Sequence, residues 1–321
     1  MRINFISYLD PFIHGGGGEQ ITRKLIEVGE SRGHEIFRVH QNPSFNNYKY
    51  GANLNIFWDV WNAPELGNAF PEEDIFTTMD KVPYIYGTGG YEDICSLGTL
   101  PCEGFTHGNE CKVEKSHPTF SAGGIGRPHP GGCPANRRSR LLKDARMCIF
   151  FSELHQRKIE QVLGQSLNSF IAVPPIKDIE RFFDSGGVRD IEYLSYGGHL
   201  EYKGFNNIRN ALPQARDSMI FIGGGDAALP RIHQYGQHMG TVPFDYMPEL
   251  LNRVKNFVHM PRWPEPFGMT TIQAFLCGCN IIENENSVAV GNRSKEELIE
   301  LVNEHKNCIP MWEAIESCVS A

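Results

Sequence analysis

The sequence predicts an α/β protein with two Rossmann-like domains, each built on a parallel β-sheet wrapped by helices. Three observations lead to this fold class. The chain has 321 residues, which is more than one hydrophobic core normally serves. Short apolar runs of strand length alternate with segments of helical spacing in both halves of the chain. Glycine-rich or acidic turns follow several of these runs, as at the ligand-binding edge of open α/β sheets.

The beginning of the chain contains one complete strand, helix and strand unit. A short apolar run at residues 3–6 predicts the first strand, and a turn through the glycines 15–18 follows it. Apolar residues at helical spacing then predict a helix over residues 21–28. A second strand is predicted at residues 35–39. This unit is the repeating element of a parallel sheet covered by helices.

Later units continue the same alternation. In the first half, further strands are predicted at residues 82–86, 147–151 and 169–173. Residues 184–190 indicate a linker, after which strands are predicted at residues 192–196, 219–222, 256–259 and 280–283. The final segment, residues 294–321, has the pattern of a terminal packing helix.

These elements predict a division of the chain into two domains. The N-terminal Rossmann-like domain is expected over residues 1–185, and the C-terminal one over residues 186–321, with its last helix packing back. Between about residues 89 and 138 the periodic pattern dissolves into Gly, Pro, Cys and His. Such a stretch exceeds a normal loop, so it predicts a functional or local insert.

Composition and charge exclude several classes of protein. With 40% apolar and 21% charged residues, the chain is not a disordered polymer. A net charge of −8 provides no basic field for a phosphate polymer, which argues against a nucleic-acid partner. No apolar run reaches membrane-spanning length and the start does not have the order of a signal peptide, so a cytoplasmic location is expected. Basic residues at 137–143 leave a peripheral membrane contact open.

The strongest chemical pattern lies at residues 264–282. There a predicted strand ends in an acidic turn, and a glycine opens a helix that stops before the next strand. The first N–H groups of such a helix form an anion site at the carboxyl end of a strand. Glu265 can accept hydrogen bonds from sugar hydroxyls beside that site, and Gln273 is expected to face the same place.

This stretch resembles the signature of the retaining glycosyltransferases of the GT-B fold. In that family an E-x-F-G turn opens a helix that ends in A-x-A-C-G-x-P-V-V, and the chain matches it at Glu265, Phe267, Gly268, Cys277 and Gly278. The resemblance extends from residue 2 to about residue 290 through ordered landmarks. It implies two Rossmann-like domains that face a cleft and a nucleotide-sugar donor bound by the C-terminal domain. The family's signature also has a second Glu, separated from the first by seven residues. The sequence departs from it there, because Gln273 occupies that position.

The resemblance also implies roles for individual residues. The segment 198–205 looks like the family's G-R-L-x-x-x-K-G motif shortened by one residue, with Lys203 as the cation on the donor diphosphate and His199 in the place of the Arg. Glu265 would hold hydroxyls of the donor sugar, so Lys203 and Glu265 are the predicted catalytic residues. The predicted donor-binding set consists of Gly198, His199, Gly204, Gly223, Pro266, Phe267, Gly268, Met269 and Gln273.

The N-terminal domain carries a weaker part of the resemblance. Gly16, Gly17 and Gly18 are similar to the family's G-G-x-E loop, which contacts acceptor and diphosphate. Many relatives place a His after a strand of this domain, whereas residues 84–91 contain none. The sequence therefore names no catalytic side chain in the N-terminal domain.

The implied reaction is the transfer of a sugar, with retention, from a UDP-sugar or GDP-sugar to a carbohydrate or lipid-linked acceptor. The donor phosphate would deprotonate the acceptor, so positioned cations and dipoles suffice, and neither a metal nor a cofactor is expected. Gln273, His199 and the missing His suggest an alternative, a catalytically weak nucleotide-sugar-binding protein of the same fold. A sugar-phosphate epimerase of similar architecture ranks last.

Four of the nine cysteines lie in the predicted insert: Cys95, Cys102, Cys111 and Cys133. A zinc site is one interpretation, which their spacing disfavours because it contains no C-x-x-C pair. The favoured interpretation is an acceptor-side loop whose cysteines are reduced.

Overall fold

The computed structural model describes the chain in two compact units. The first unit contains the described residues up to 177 together with 301–320, and the second contains those from 178 to 300. The described residues are 1–13, 17–40, 47–60, 72–91, 93–95, 138–197, 203–223, 232, 234–287, 289–291 and 293–320.

The strands form two parallel sheets, one in each unit. Their bounds are β1 Arg2–Ser7, β2 Glu35–His40, β3 Leu54–Trp58, β4 Tyr84–Gly87, β5 Met147–Phe150, β6 Ser169–Ile171, β7 Ile191–Tyr196, β8 Met219–Ile222, β9 Gly236–His238, β10 Val254–His259 and β11 Asn280–Glu283. The first sheet has the order β2-β1-β3-β4-β5-β6 and the second the order β11-β10-β7-β8-β9. Every strand pairing is parallel. The predicted fold class of two Rossmann-like α/β domains is confirmed.

Helices alternate with these strands in both units. Their bounds are α1 Gly17–Ser31, α2 Glu72–Met79, α3 Arg140–Lys143, α4 Glu153–Leu163, α5 Phe205–Ala211, α6 Met247–Asn252, α7 Met269–Leu276, α8 Lys295–His305 and α9 Ile309–Ser320. In the part of the chain that the structure describes, no helix is both long and apolar enough to cross a membrane.

The core of the first unit lies around the middle strands of its sheet. Every residue of β3 is buried, as expected for a parallel strand that is covered on both faces. Helix α9 packs against α1 in this unit, where Trp312 donates its indole N–H to the carbonyl of Leu25 at 2.9 Å. A Cβ on Gly29 would lie 2.2 Å from the Trp312 ring, so the two helices approach closely only because residue 29 is glycine.

The second unit has its own core between α5 and the sheet. The buried cluster consists of Phe205, Ile208, Leu212, Ala215, Met219, Phe221, Ile232, Tyr235 and Val258. Strands β7 and β10 lie side by side, and the hydroxyl of Ser195 donates to the carbonyl of Val258 at 2.7 Å. The carboxyl ends of these two strands therefore meet at one edge of the sheet.

The structure corrects the predicted elements in two places. Strands β3 and β9 were missed, and β3 escaped notice because Asn55 interrupts its apolar run. That side chain is buried and accepts a hydrogen bond from the Asn4 amide at 3.0 Å, which makes a polar residue tolerable in a central strand. The final segment was predicted as one helix, but it forms α8 and α9. The chain breaks between them at Cys308, whose φ of 54° is incompatible with a continuous helix.

Candidate functional site

Lys203 and Glu265 form an ion pair at the carboxyl edge of the second unit's sheet. Lys203 follows β7 and Glu265 follows β10, and these strands are neighbours. The Nζ atom of Lys203 lies 3.0 Å from Oε1 and 2.9 Å from Oε2 of Glu265. The side chains are 24% and 12% exposed, so the pair is largely screened from solvent. The structure thus brings together the two residues that the sequence singled out as catalytic, and it does so by direct contact.

Two further side chains adjoin this pair, and sequence reasoning missed both. His259 ends β10 and places Nε2 3.8 Å from Oε2 of Glu265. This nitrogen is buried without a hydrogen-bond partner among the described residues. Burial lowers the pKa of His259 to about 4, so its imidazole is neutral at pH 7. The ring of Trp263 lies 4.9 Å from Nζ of Lys203, which is a cation–π distance.

The segment that carries Lys203 is fixed to the end of β10 by a glycine and an amide. Gly204 has a φ of 103°, and a Cβ at this position would lie 1.8 Å from the carbonyl oxygen of Met260. No residue with a side chain fits there without a shift of the backbone. The side chain of Asn207 donates to the same oxygen at 3.0 Å. Lys203 is therefore held opposite the segment that follows β10.

Two asparagines hold the segment that carries Glu265. The carbonyl of Pro261 accepts hydrogen bonds from the side chains of Asn284 at 3.0 Å and Asn286 at 3.2 Å. The backbone N–H of Glu265 donates to the carbonyl of Asn286 at 2.8 Å. Because both asparagines follow β11, the ends of β10 and β11 position the carboxylate together.

Helix α7 begins directly after this segment. Its first bond within the helix runs from the N–H of Ile272 to the carbonyl of Gly268 at 3.1 Å. The N–H of Met269 donates to the carbonyl of Phe267 at 3.2 Å. The N–H groups of Thr270 and Thr271 come before the first hydrogen bond of the helix. Pro266 and Gly268 are buried, whereas Phe267 and Met269 are partly exposed. The predicted helix start is present four residues after Glu265.

Two other predicted donor-binding residues, Gln273 and Gly223, are not hydrogen-bonded to the Lys203–Glu265 pair in the described chain. Gln273, the fifth residue of α7, is only 7% exposed, and within the described chain its amide makes no hydrogen bond to Lys203 or Glu265. Gly223 directly follows β8, and both of its backbone groups are engaged. Its N–H donates to Gly240 at 2.9 Å, and its carbonyl accepts from His238 Nε2 at 2.9 Å. A ribose role for Gln273 remains a prediction.

Several predicted residues cannot be placed at the site. Gly17 and Gly18 form the first turn of α1 in the first unit, so they begin a helix rather than extend a loop. Gly16, Gly198 and His199 lie outside the described residues, as do Cys102, Cys111 and Cys133. Cys95 is described, and its side chain is buried. Over the described ranges no group of three metal-ligating side chains is found.

Comparison with known proteins finds matches among solved structures. No protein-family model matches the chain, and no curated protein matches it. The crystal structure of Anabaena HepE in complex with UDP and glucose matches with a TM-score of 0.54 at 13% identity, over 100% of this chain and 93% of that one. Sucrose-phosphate synthase from Thermosynechococcus elongatus matches with a TM-score of 0.59 at 14% identity, over 97% and 90% of the two chains.

A third match has a nucleic-acid ligand. An alpha-glucosyltransferase in complex with UDP and a 13-mer DNA matches with a TM-score of 0.55 at 10% identity, over 100% of both chains. At these identities the likeness shows the fold. The chain has the GT-B fold of nucleotide-sugar glycosyltransferases, which confirms the fold that the sequence resemblance implied.

Proposed function

We propose that the protein is a nucleotide-sugar glycosyltransferase whose donor binds at the carboxyl edge of the second unit's sheet. The observation that carries this proposal is the Lys203–Glu265 pair, a cation and a carboxylate 2.9 Å apart, next to the start of α7. This combination suits a ligand with an anionic part and a hydroxyl-bearing part. Two of the matching structures with the same fold hold UDP, which supports a nucleoside diphosphate as the anionic part.

A bound donor would replace the contact between Lys203 and Glu265 with contacts from each residue to the donor. The diphosphate offers Lys203 an anion, and the first N–H groups of α7 add a positive dipole end. Negative charge develops on the diphosphate as the sugar leaves, so a fixed cation stabilises the transition state more than the ground state. The sugar hydroxyls in turn donate hydrogen bonds to the carboxylate of Glu265. Each partner thus gains a ligand contact for the one it gives up, which avoids a buried unpaired charge.

His259 supports this exchange as a neutral neighbour of Glu265. Its imidazole is uncharged at pH 7, so it adds no second cation that would compete with Lys203 for the phosphate or neutralise the carboxylate. After Lys203 turns to a diphosphate, the unpartnered Nε2 atom, 3.8 Å from Oε2, is within a small movement of a hydrogen bond to Glu265. We assign His259 the task of positioning that carboxylate.

The finer features of the reaction follow the sequence resemblance. Transfer proceeds with retention, and the acceptor is a carbohydrate or a lipid-linked sugar. The donor is a UDP-sugar or a GDP-sugar, and the protein uses no metal or cofactor. The register of Glu265, Phe267 and Gly268 with the E-x-F-G turn supports this assignment.

Thermal unfolding with UDP, GDP, ADP, CDP and dTDP tests the proposal. A ligand at 100 times its Kd stabilises a protein by about 2.7 kcal/mol, which a melting curve resolves. We expect a shift with one nucleotide that disappears in Lys203→Ala. The matched control is Lys255→Ala, because Lys255 pairs with Glu192 at 2.6 Å across the same two strands but in an exposed position. The control should keep the shift.

Two outcomes separate the alternatives. No shift with any nucleotide contradicts the proposed donor site. A shift without sugar transfer or donor hydrolysis, measured on the matching nucleotide-sugar, identifies a binding protein of the same fold instead of an enzyme.

A further inference from the structure

Trp263 lies in the segment between β10 and α7, and both the sequence and the contacts of this segment make it rigid. Pro261 and Pro264 flank the tryptophan closely. A proline ring fixes its own φ, and it keeps the preceding residue, here Trp263, out of the helical region. The carbonyl of Pro261 accepts hydrogen bonds from Asn284 at 3.0 Å and Asn286 at 3.2 Å. The backbone of Trp263 is therefore held in place without the help of a ligand.

The side chain of Lys203, by contrast, owes its direction to its neighbours. Lysine carries its charge on a flexible four-carbon stem. This stem passes over the end of β7, where a Cβ on Gly197 would lie 3.6 Å from Cγ of Lys203. The ammonium group then has two neighbours of different kinds. Glu265 accepts its hydrogen bonds at 2.9 and 3.0 Å, and the centroid of the Trp263 ring lies 4.9 Å from Nζ.

A bound donor would take away only one of these two neighbours. Under the proposed function, the sugar hydroxyls bind Glu265 and the diphosphate binds Lys203. An indole ring carries no charge that a phosphate or a hydroxyl could pair with, so its contact with the ammonium persists. Tryptophan is also the aromatic side chain that attracts a cation most strongly, and the attraction increases when the cation is shielded from water. The side chain of Lys203 is only 24% exposed.

We propose that Trp263 is a positioning residue, whose ring face keeps the ammonium of Lys203 directed at the donor diphosphate once Glu265 has turned to the sugar. This inference rests on the proposed function, because it requires an anionic donor at Lys203. A cation that is already in place loses less conformational freedom on binding. It also stabilises the charge that develops on the leaving diphosphate without first having to move.

Titration of Trp263→Leu and Trp263→Phe with the nucleoside diphosphate that stabilises the wild type tests this role. Leucine keeps an apolar side chain without a π face, whereas phenylalanine keeps a face of weaker attraction. We expect Trp263→Leu to raise the Kd about fivefold and Trp263→Phe to stay within about twofold of the wild type. The control is Tyr50→Leu, because the Tyr50 ring lies 5.2 Å from Nζ of Lys81 in the first unit and is 78% exposed. This control should bind the nucleotide as the wild type does.

A fluorinated protein separates attraction by the ring from mere packing, and it also covers a failure of Trp263→Leu to fold. Replacing all four tryptophans by 5,7-difluorotryptophan nearly preserves the shape of the rings, while fluorine withdraws electron density from their faces. We expect the Kd of the nucleotide to rise about twofold to threefold. The same replacement in Trp263→Phe should leave its Kd unchanged, since no other tryptophan has this role. A side chain that only fills space would bind equally well with and without fluorine.

The outcomes distinguish this proposal from the proposed function. If none of UDP, GDP, ADP, CDP and dTDP stabilises the wild type, the donor site is contradicted, and the role of Trp263 is overturned with it. If one nucleotide stabilises the wild type but not Lys203→Ala, the donor site stands. The role of Trp263 is then overturned alone when the fluorinated protein binds that nucleotide as tightly as the unlabelled one, or when fluorination weakens Trp263→Phe equally.

Discussion

The two sheets end in carboxyl edges that are chemically opposite. In the second unit Glu265 is fully paired, with Lys203 at 2.9 and 3.0 Å from its two oxygens. In the first unit Asp59 accepts a backbone N–H at 2.6 Å, and acidic groups are its strongest charged neighbours. Of these two carboxylates, only that of Glu265 therefore lies beside a cation.

This difference shows how one architecture can place two chemically different carboxyl groups at equivalent sheet edges. A paired cation and carboxylate suit a molecule that is itself part anion and part sugar, because both charges find new partners at once. The carboxyl of Asp59 is poorly solvated, and its charged neighbours are the acidic Asp93 and Glu19, so it offers no such charge pair. The loops that follow the strands set this chemistry, while the sheets provide only their positions.

The largest effect should come from removing the cation of the second unit. We expect Lys203→Ala to lower kcat/KM for sugar transfer about 100-fold to 1,000-fold, as for loss of a group that stabilises developing negative charge. Glu265→Ala should abolish most transfer too, because the donor sugar loses its acceptor and Lys203 loses its partner. Steady-state kinetics with the donor identified by unfolding measures both.

The control for these variants is again Lys255→Ala, which removes an exposed pair across the same strands and should leave kcat/KM within about twofold, since exposed ion pairs contribute little. Near wild-type transfer in Lys203→Ala would contradict the contrast between the two edges, because the Lys203–Glu265 pair would then have only a structural role.

The next largest effect concerns the glycine that places Lys203. Gly204→Ala puts a Cβ 1.8 Å from the carbonyl oxygen of Met260 at a φ of 103°, so we expect a loss of about 2–4 kcal/mol in unfolding free energy. Gly240→Ala is the control, because its φ of 73° is also positive but no atom lies within 4 Å of the added Cβ. It should lose only about 1 kcal/mol. Equal losses in denaturant unfolding would mean that the contact with Met260, directly after β10, does not hold the segment that carries Lys203.

Sequence reasoning reached the alternation of strands and helices because apolar periodicity encodes it directly. It missed β3, whose buried Asn55 is satisfied by Asn4, a residue 51 positions away in the chain. A hydrogen bond between strands leaves no local signal, so the central strand of the first sheet could not be recognised from its own residues. The break at Cys308 was missed for a similar reason, since a positive φ at a cysteine has no sequence signature.

The candidate site was predictable only where a motif existed. Lys203 and Glu265 lie in segments that resemble a known family, and they were identified before the structure placed them in contact. His259 could have been suspected as a histidine at the last position of a predicted strand, but its orphaned Nε2 atom depends on packing. Asp59 follows a strand that was itself missed, so the sequence offered no reason to place it at a sheet edge.

A smaller effect is the acid sensitivity of two buried histidines, His155 and His259. Burial lowers the pKa of His155 and of His259 to about 4, against about 6.5 in the unfolded chain. Between these values the unfolded state binds more protons, so stability falls as the pH falls from 6.5 towards 4. At pH 5 each histidine should contribute about 2 kcal/mol of destabilisation relative to pH 7.

Urea unfolding of His155→Gln at pH 7 and pH 5 measures this contribution. The variant should show a smaller fall in stability between the two pH values than the wild type. His305→Gln is the comparison, because His305 is only half buried and its pKa is lowered less. An unchanged pH dependence in His155→Gln would contradict a neutral buried imidazole in the first unit.

The smallest expected effect concerns Asp59 at the edge of the first sheet, and it appears at high pH. The pKa of Asp59 is raised from 3.8 to about 7, so the folded state binds more protons than the unfolded state between these values. The stability that goes with the protonated carboxyl is therefore lost as the pH rises through this range. Ionisation of a fully buried carboxyl with this pKa would cost about 4 kcal/mol by pH 8. Asp59 is partly exposed, so solvent screens its charge. We therefore expect Asp59→Asn, which cannot ionise, to gain only about 1 kcal/mol in unfolding free energy at pH 8 and little at pH 4. The control, Asp217→Asn, should stay within about 0.5 kcal/mol at both pH values, since its carboxyl is exposed. A stabilised Asp59→Asn is the behaviour of a carboxyl that is kept at the expense of stability. A destabilised variant would instead make Asp59 a structural partner of Gly89, and the contrast between the two edges would disappear.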